Sequence, residues 1–172
     1  MYKRRMGMSE YFEEMTNRKA WIEEVDNLLE KKGFSKEFVM AFHTNWTVRA
    51  HRIREQISND KKLSMLLQHI FPVYAGEGKI LYRGENKKRW GKGNIGFCWT
   101  TDKEIAVMFA RGLNSINTGG LLLECDCKPE WIIIGPSDHS NYLGESEYTV
   151  NPELVTGIKV LLEYDPLEQK NT

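Results

Sequence analysis

Three short segments place reactive side chains where a strand meets a turn. Leu81-Tyr82-Arg83-Gly84-Glu85 sets an arginine at a strand end beside a glycine. Gly96-Phe97-Cys98-Trp99-Thr100-Thr101-Asp102 runs from an aromatic strand into a helix, and Gly144-Glu145-Ser146-Glu147-Tyr148 opens a strand with two carboxylates one residue apart. A guanidinium offers a planar fork of donors suited to a pyrophosphate. An ionised carboxylate beside a sugar stabilises the positive charge that develops when a glycosidic bond breaks. Residues two apart on a strand project to the same face, about 7 Å apart at Cα, so Glu145 and Glu147 are expected to look into one cleft. The bland alternative for this pair is a solvated strand end.

Other chemical signals are weaker. Gly91-Lys92-Gly93 makes neither a GxGxxG turn nor a Walker A loop. The basic stretch Lys87-Lys88-Arg89-Trp90-Gly91-Lys92 suits a phosphate with Trp90 as a stacking surface, or simply a solvated loop. Cys98, Cys125 and Cys127 are an odd set without metal-hook spacing, and read as reduced core or strand cysteines. His43, His51, His69 and His139 are scattered, so no metal site is expected.

The elements that must position these residues fall into two textures. Trp21, Ile22, Val25, Leu28 and Leu29 recur at helical spacing, with Gly33 where a C-cap glycine belongs. Ser35 reads as the N-cap of a helix carrying Phe38, Val39, Phe42 and Trp46. A third helical segment is expected over about 50–70, broken near Ser58-Asn59-Asp60. Strands are then expected at 79–83, 95–99, 121–125, 131–134, 147–150 and 158–162, where β-branched and aromatic runs lie between Gly, Pro, Asn and Asp. One helix, Glu104 to Ala110, interrupts them behind the apparent capping box Thr101-Asp102-Lys103-Glu104.

The chain has 172 residues, with 24 Lys+Arg against 24 Asp+Glu. This neutrality argues against an obligate phosphate-backbone binder, which draws its affinity from neutralised phosphates, so a nucleic-acid partner is not expected. The balance is uneven: residues 1–70 hold 13 basic and 10 acidic groups, and residues 71–172 hold 11 and 14. The basic start, Met1 to Met8, lacks the apolar core of a signal peptide, and no run approaches the ~20 apolar residues of a membrane span. A cytoplasmic protein without a membrane partner is the expectation. Length fits one domain over 1–172, with a helical part at 9–70 and a β-rich part at 79–162. Helices followed by a strand series indicate an α+β class rather than alternating βαβ units.

The ordered set of arginine, hydroxyl segment and Glu-x-Glu over residues 79–162 resembles the arginine-serine-glutamate class of ADP-ribosyltransferases of bacterial and phage type. The resemblance implies two packed, mostly antiparallel sheets around an NAD cleft, preceded by helices. It assigns NAD, as substrate, to Arg83, Gly84, Trp99, Thr100 and Thr101, with Arg83 on the pyrophosphate. Glu147 is implied as the catalytic carboxylate beside the ribose, and Glu145 as the group engaging an arginine side chain of a protein acceptor. The family's Ser-Thr-Ser is replaced by Trp99-Thr100-Thr101 in the simplest alignment, so Thr100 supplies the hydroxyl expected to bond Glu147. Trp99 then either walls the nicotinamide pocket or fills core, and Tyr82 and Tyr148 share that ambiguity.

Mono-ADP-ribosylation of a protein is therefore the expected activity, in the manner of a toxin-like phage or prophage effector. Water as acceptor would give an NAD glycohydrolase, and a nucleic acid or small molecule could also accept. A third alternative is a catalytically silent relative that acts as a binding module through its helical half.

Overall fold

A computed structural model describes residues 7–168. Residues 1–6, most of the basic N-terminal stretch noted above, lie outside the described residues. The chain forms two compact units, one running to Val73 and including Ser137–Ser140, the other comprising Tyr74–Pro136 and the chain from Asn141 on.

The first unit is helical: α1 (Met8–Asn17), α2 (Trp21–Glu30), α3 (Lys36–Ile57) and α4 (Asp60–Ile70). The Ser35 hydroxyl accepts from Phe38 N at 3.1 Å, so it caps α3 as its residue type predicts. The break expected near residue 58 is present: Ser58 takes φ 51, and the Asn59 side chain accepts from Lys62 N at 2.9 Å to start α4. Two expectations are corrected. The helix carrying Phe42 and the segment beginning near Ala50 are one element, kinked at Arg49 (φ −128), because no Gly or Pro lies nearby to stop it. Gly33 is not the C-cap of α2, which ends at Glu30 with Lys31 extended, and Gly33 lies in the following connection at φ 142. Phe12, Trp21, Phe42 and Trp46 are fully buried or nearly so. The Phe12 and Phe42 ring centroids lie 5.5 Å apart and those of Trp21 and Phe42 5.8 Å, while Trp21 Nε1 donates to Thr16 Oγ1 at 2.9 Å.

The second unit carries β1 (Lys79–Asn86), β2 (Cys98–Thr100), β3 (Gly120–Cys127), β4 (Ile132–Ile134), β5 (Glu147–Val150) and β6 (Lys159–Tyr164). Short helices α5 (Lys87–Gly91), α6 (Lys103–Arg111) and α7 (Asp138–Leu143) occur between strands. The α+β class is as expected, but the two packed sheets around an NAD cleft are not what forms. The described strands make one antiparallel six-stranded sheet in the order β4-β5-β2-β1-β3-β6. The pattern of each strand sets which side chains face core, not how many sheets the strands share. Here β1 joins the halves: it pairs with β3 along its whole length, Lys79↔Cys127 to Asn86↔Gly120, and with β2 at Tyr82↔Thr100.

Leu81, Trp99, Leu123, Cys125, Cys127 and Val150 form a buried cluster on the sheet. Helix α6 packs closely on β1 and β3 at two glycines. A Cβ on Gly84 would lie 2.6 Å from Ala106 O, and one on Gly120 would lie 2.8 Å from the Ala110 carbonyl carbon. Either alanine would push the helix off the sheet. No described helix is long and apolar enough to cross a membrane.

Candidate functional site

The strand order places β2 between β1 and β5, so three segments separated in the chain become neighbours. Register sets what they present. Thr100 lies opposite Glu147 and Cys98 opposite Thr149, so Cys98, Thr100 and Glu147 share one face, while Trp99 and Tyr148 share the other. A cavity of about 140 Å³ is lined by Arg83, Cys98, Thr100, Glu145 and Glu147, with Ile105 and Phe109 of α6 forming apolar wall and Asn114 also on the lining.

Arg83 reaches this cavity by crossing to β2. Past the Tyr82↔Thr100 pair, its Nη1 donates to the Cys98 carbonyl at 2.6 Å and its Nε to Glu85 Oε2 at 2.8 Å. Gly96 makes room, since a side chain there would collide with the guanidinium. Burial opposes the charge on Arg83, but the Glu85 carboxylate beside it more than compensates and holds its pKa above the ordinary value.

Glu147 is in the contrary situation. Burial is the largest influence and pushes its carboxyl up to about 7, the Cys98 thiol opposes by hydrogen bonding to it, and the Glu145 charge raises it further while Arg83 lowers it. A carboxyl poised near neutrality exchanges its proton at physiological pH, as catalytic acids and bases do.

Several expected roles are redistributed. The Thr100 hydroxyl does not serve Glu147: it donates to the Glu145 carbonyl at 2.6 Å and accepts from Asp102 N at 3.0 Å, tying the start of the carboxylate segment to the start of α6. The thiol of Cys98 takes the place beside Glu147 instead. Thr101 is exposed and caps nothing; Asp102 Oδ1 caps α6 by accepting from Glu104 N at 2.9 Å and Ile105 N at 3.3 Å. Trp99 lies within the buried cluster, its indole donating to Gly96 O at 3.2 Å, although it also borders the cavity. Gly84 borders the cavity too, and its lack of a side chain is used by α6. Tyr82 lines the cavity with Lys103 Nζ 5.8 Å from its ring, whereas Tyr148 packs against the cluster near Tyr74.

Glu145 precedes β5, and Ser146 between the two glutamates has φ 44. Strand alternation is therefore not what brings the carboxylates together; they flank a left-handed residue ahead of the strand, and both line the cavity. Most of the basic stretch is helix α5 rather than a loop, and two of its charges are engaged: Lys87 pairs with Glu163 at 2.9 Å and Arg89 with Glu85 at 2.7 Å, while Trp90 packs on the cluster. Cys98, Cys125 and Cys127 form no disulfide, and no group of metal ligands occurs among the described residues.

Two residues of the site escape sequence reasoning. Cys98 was legible only as an alternating partner of Thr100, one position before the tryptophan. Glu85 is fully buried, and nothing in the run Tyr-Arg-Gly-Glu distinguishes it from a solvated strand-end acid. No protein-family model matches the chain, and neither curated proteins nor solved structures give a match.

Proposed function

We propose that this protein transfers ADP-ribose from NAD to a protein, with an arginine side chain as acceptor. The observation that carries this reading is the convergence of Arg83, Thr100 and Glu147, from three separated segments, on one cavity. The ionised Glu147 carboxylate would stabilise the oxocarbenium-like ribose as its bond to nicotinamide breaks. Nicotinamide leaves with the bonding pair, and a guanidinium nitrogen of the acceptor bonds to the ribose carbon and loses a proton. Arg83, with two of its five N–H groups engaged by Glu85 and Cys98, offers the remainder to the pyrophosphate. Cys98 fills the supporting position given to a serine in the family this chain resembles. Glu145 would face the incoming arginine.

The cavity, about 140 Å³, is smaller than the ~300–1,000 Å³ of most small-molecule sites. It suits the nicotinamide end of the dinucleotide, with the remainder lying over the open surface. The neutral-range Glu147 also favours a second reading in which it takes a proton from water and the protein hydrolyses NAD.

Nicotinamide release from NAD by the purified protein tests both readings. Glu147→Ala should lower it by about a hundredfold or more. No release and no NAD binding by the wild type would sink them together. ADP-ribosyl transfer to agmatine or polyarginine separates transferase from hydrolase, and Glu145→Gln should reduce transfer more than hydrolysis. Because the Glu145 charge raises the Glu147 pKa, the same variant should also move the midpoint of the pH–rate profile below about 7.

A further inference from the structure

Glu85 has no surface, yet it is held as a carboxylate. Its side chain is 0% exposed, Oε2 accepts from Arg83 Nε at 2.8 Å and Gly96 N at 3.0 Å, and Oε1 accepts from Arg89 Nε and Asn86 N, both at 2.7 Å. Four donors satisfy both oxygens. Two of them belong to guanidinium groups arriving from different elements, β1 and α5. Arg89 is fixed again by Asn114, whose Oδ1 accepts from Nη2 at 2.6 Å and whose Nδ2 donates to Gly84 O at 2.8 Å.

Stability is a poor explanation for this arrangement. Removing a carboxylate from water costs several kcal/mol, and an apolar replacement of similar volume is often as stable as a buried ion pair. What a buried pair with complete hydrogen bonding supplies is geometry. Arginine has four rotatable side-chain bonds, and a guanidinium that must meet an anion loses that freedom on binding unless it is already held. Glu85 is not among the cavity-lining residues; its side chain reaches the cavity through Arg83 and, by way of Arg89 and Asn86, through Asn114.

We infer that Glu85 is a positioning residue: by clamping the Nε edges of Arg83 and Arg89 it pre-orders the Arg83 guanidinium at the cavity wall and so sets the affinity of the site for an anionic substrate it never touches. The inference rests on the proposed function for the identity of that substrate, NAD, but not for the clamp itself. Glu85→Gln keeps the shape and loses the charge; its amide cannot accept from four donors. Glu85→Gln should raise the KM for NAD about tenfold or more while kcat for nicotinamide release changes less than threefold, because the acting carboxylate, Glu147, is untouched.

A readout independent of turnover is the pair of Nε–H signals of Arg83 and Arg89 in nitrogen-15 NMR. Both should be slowly exchanging in the wild type and fast in Glu85→Gln. If Glu85→Gln does not fold, Arg89→Gln, a change at a side chain 43% exposed, opens one side of the clamp and should raise KM three- to fivefold and quicken Arg83 Nε–H exchange. Unchanged exchange and unchanged KM in the folded variant would overturn the inference. A wild type that neither binds nor cleaves NAD but shows both protected signals, lost in the variant, would remove the proposed substrate and leave the clamp standing. Equal losses in KM and kcat would assign Glu85 a general structural role and refute the positioning one.

Discussion

The helical unit and the sheet unit are built on opposite treatments of charge. In the helical unit the interior is a set of aromatic rings around Phe12, Trp21 and Phe42, and ion pairs such as Arg18–Glu14 and Lys62–Asp26 lie at the surface. In the sheet unit Glu85 is wholly buried, Arg83 nearly so, and Glu147 lines a cavity with its pKa displaced to about 7. Aromatic burial stabilises without further requirement. Buried charge does so only where its partners outweigh the loss of water: for Glu85 the two arginines do, and for Glu147 burial prevails. The difference separates two uses of a buried carboxyl: Glu85 is held ionised, and Glu147 is left near its titration point.

Three measurements would break or sharpen that contrast. The largest expected effect is in the helical unit. Phe42→Ala should cost about 3–5 kcal/mol of unfolding free energy in denaturant titration, since the ring is fully buried against Phe12, Trp21 and Phe71. A loss under 1 kcal/mol would mean that the aromatic core is not what holds this unit.

The second concerns pH. Glu85, held near pKa 2 against an ordinary 4.5, binds its proton less tightly when folded, so its contribution is present above about pH 4.5 and is lost as pH falls toward 2. Burial works against this, and the Arg83 and Arg89 charges outweigh it. Glu147 has the opposite sign: its folded pKa is raised, so stability is lost as pH rises from about 4.5 to 7. Glu147→Gln should therefore unfold at higher denaturant than wild type at pH 8, by about 2–3 kcal/mol, while the proposed activity is lost. A variant no more stable than wild type at pH 8 would contradict the unfavourable burial of that charge.

The smallest effect belongs to the surface. Glu14→Gln removes an exposed i,i+4 pair and should change stability by about 0.3–0.5 kcal/mol, with less effect in high salt. A loss above 1 kcal/mol would show that the helical unit does depend on its ion pairs.

Local signals in the sequence were strong where a single residue decides a local structure. Ser35 caps its helix as its type predicts, and at the break expected near residue 58 Asn59 also caps; each oxygen meets an amide three residues on, a relation fully contained in the chain order. The apparent box at Thr101 failed against a competitor one residue away, since Asp102 caps equally well and Thr100 holds Asp102 N. The strand runs are legible from β-branched and aromatic residues between turn residues, yet their association into one sheet is not, because β1 can serve as a bridge between sheet halves only once its partners are chosen. Glu145 and Glu147 do line one cavity, but not through alternation along a strand: Glu145 lies ahead of β5, beyond the left-handed Ser146.

By itself the sequence determined the helix-then-strand order, the apolar faces and the residue types available for chemistry, because period and capping are short-range properties of the covalent chain. The tertiary structure alone decided that β2 lies between β1 and β5, that Cys98 rather than Thr100 meets Glu147, and that Glu85 is buried between two arginines. These depend on strand order and on the solvent each group loses, and neither quantity exists until distant segments have packed.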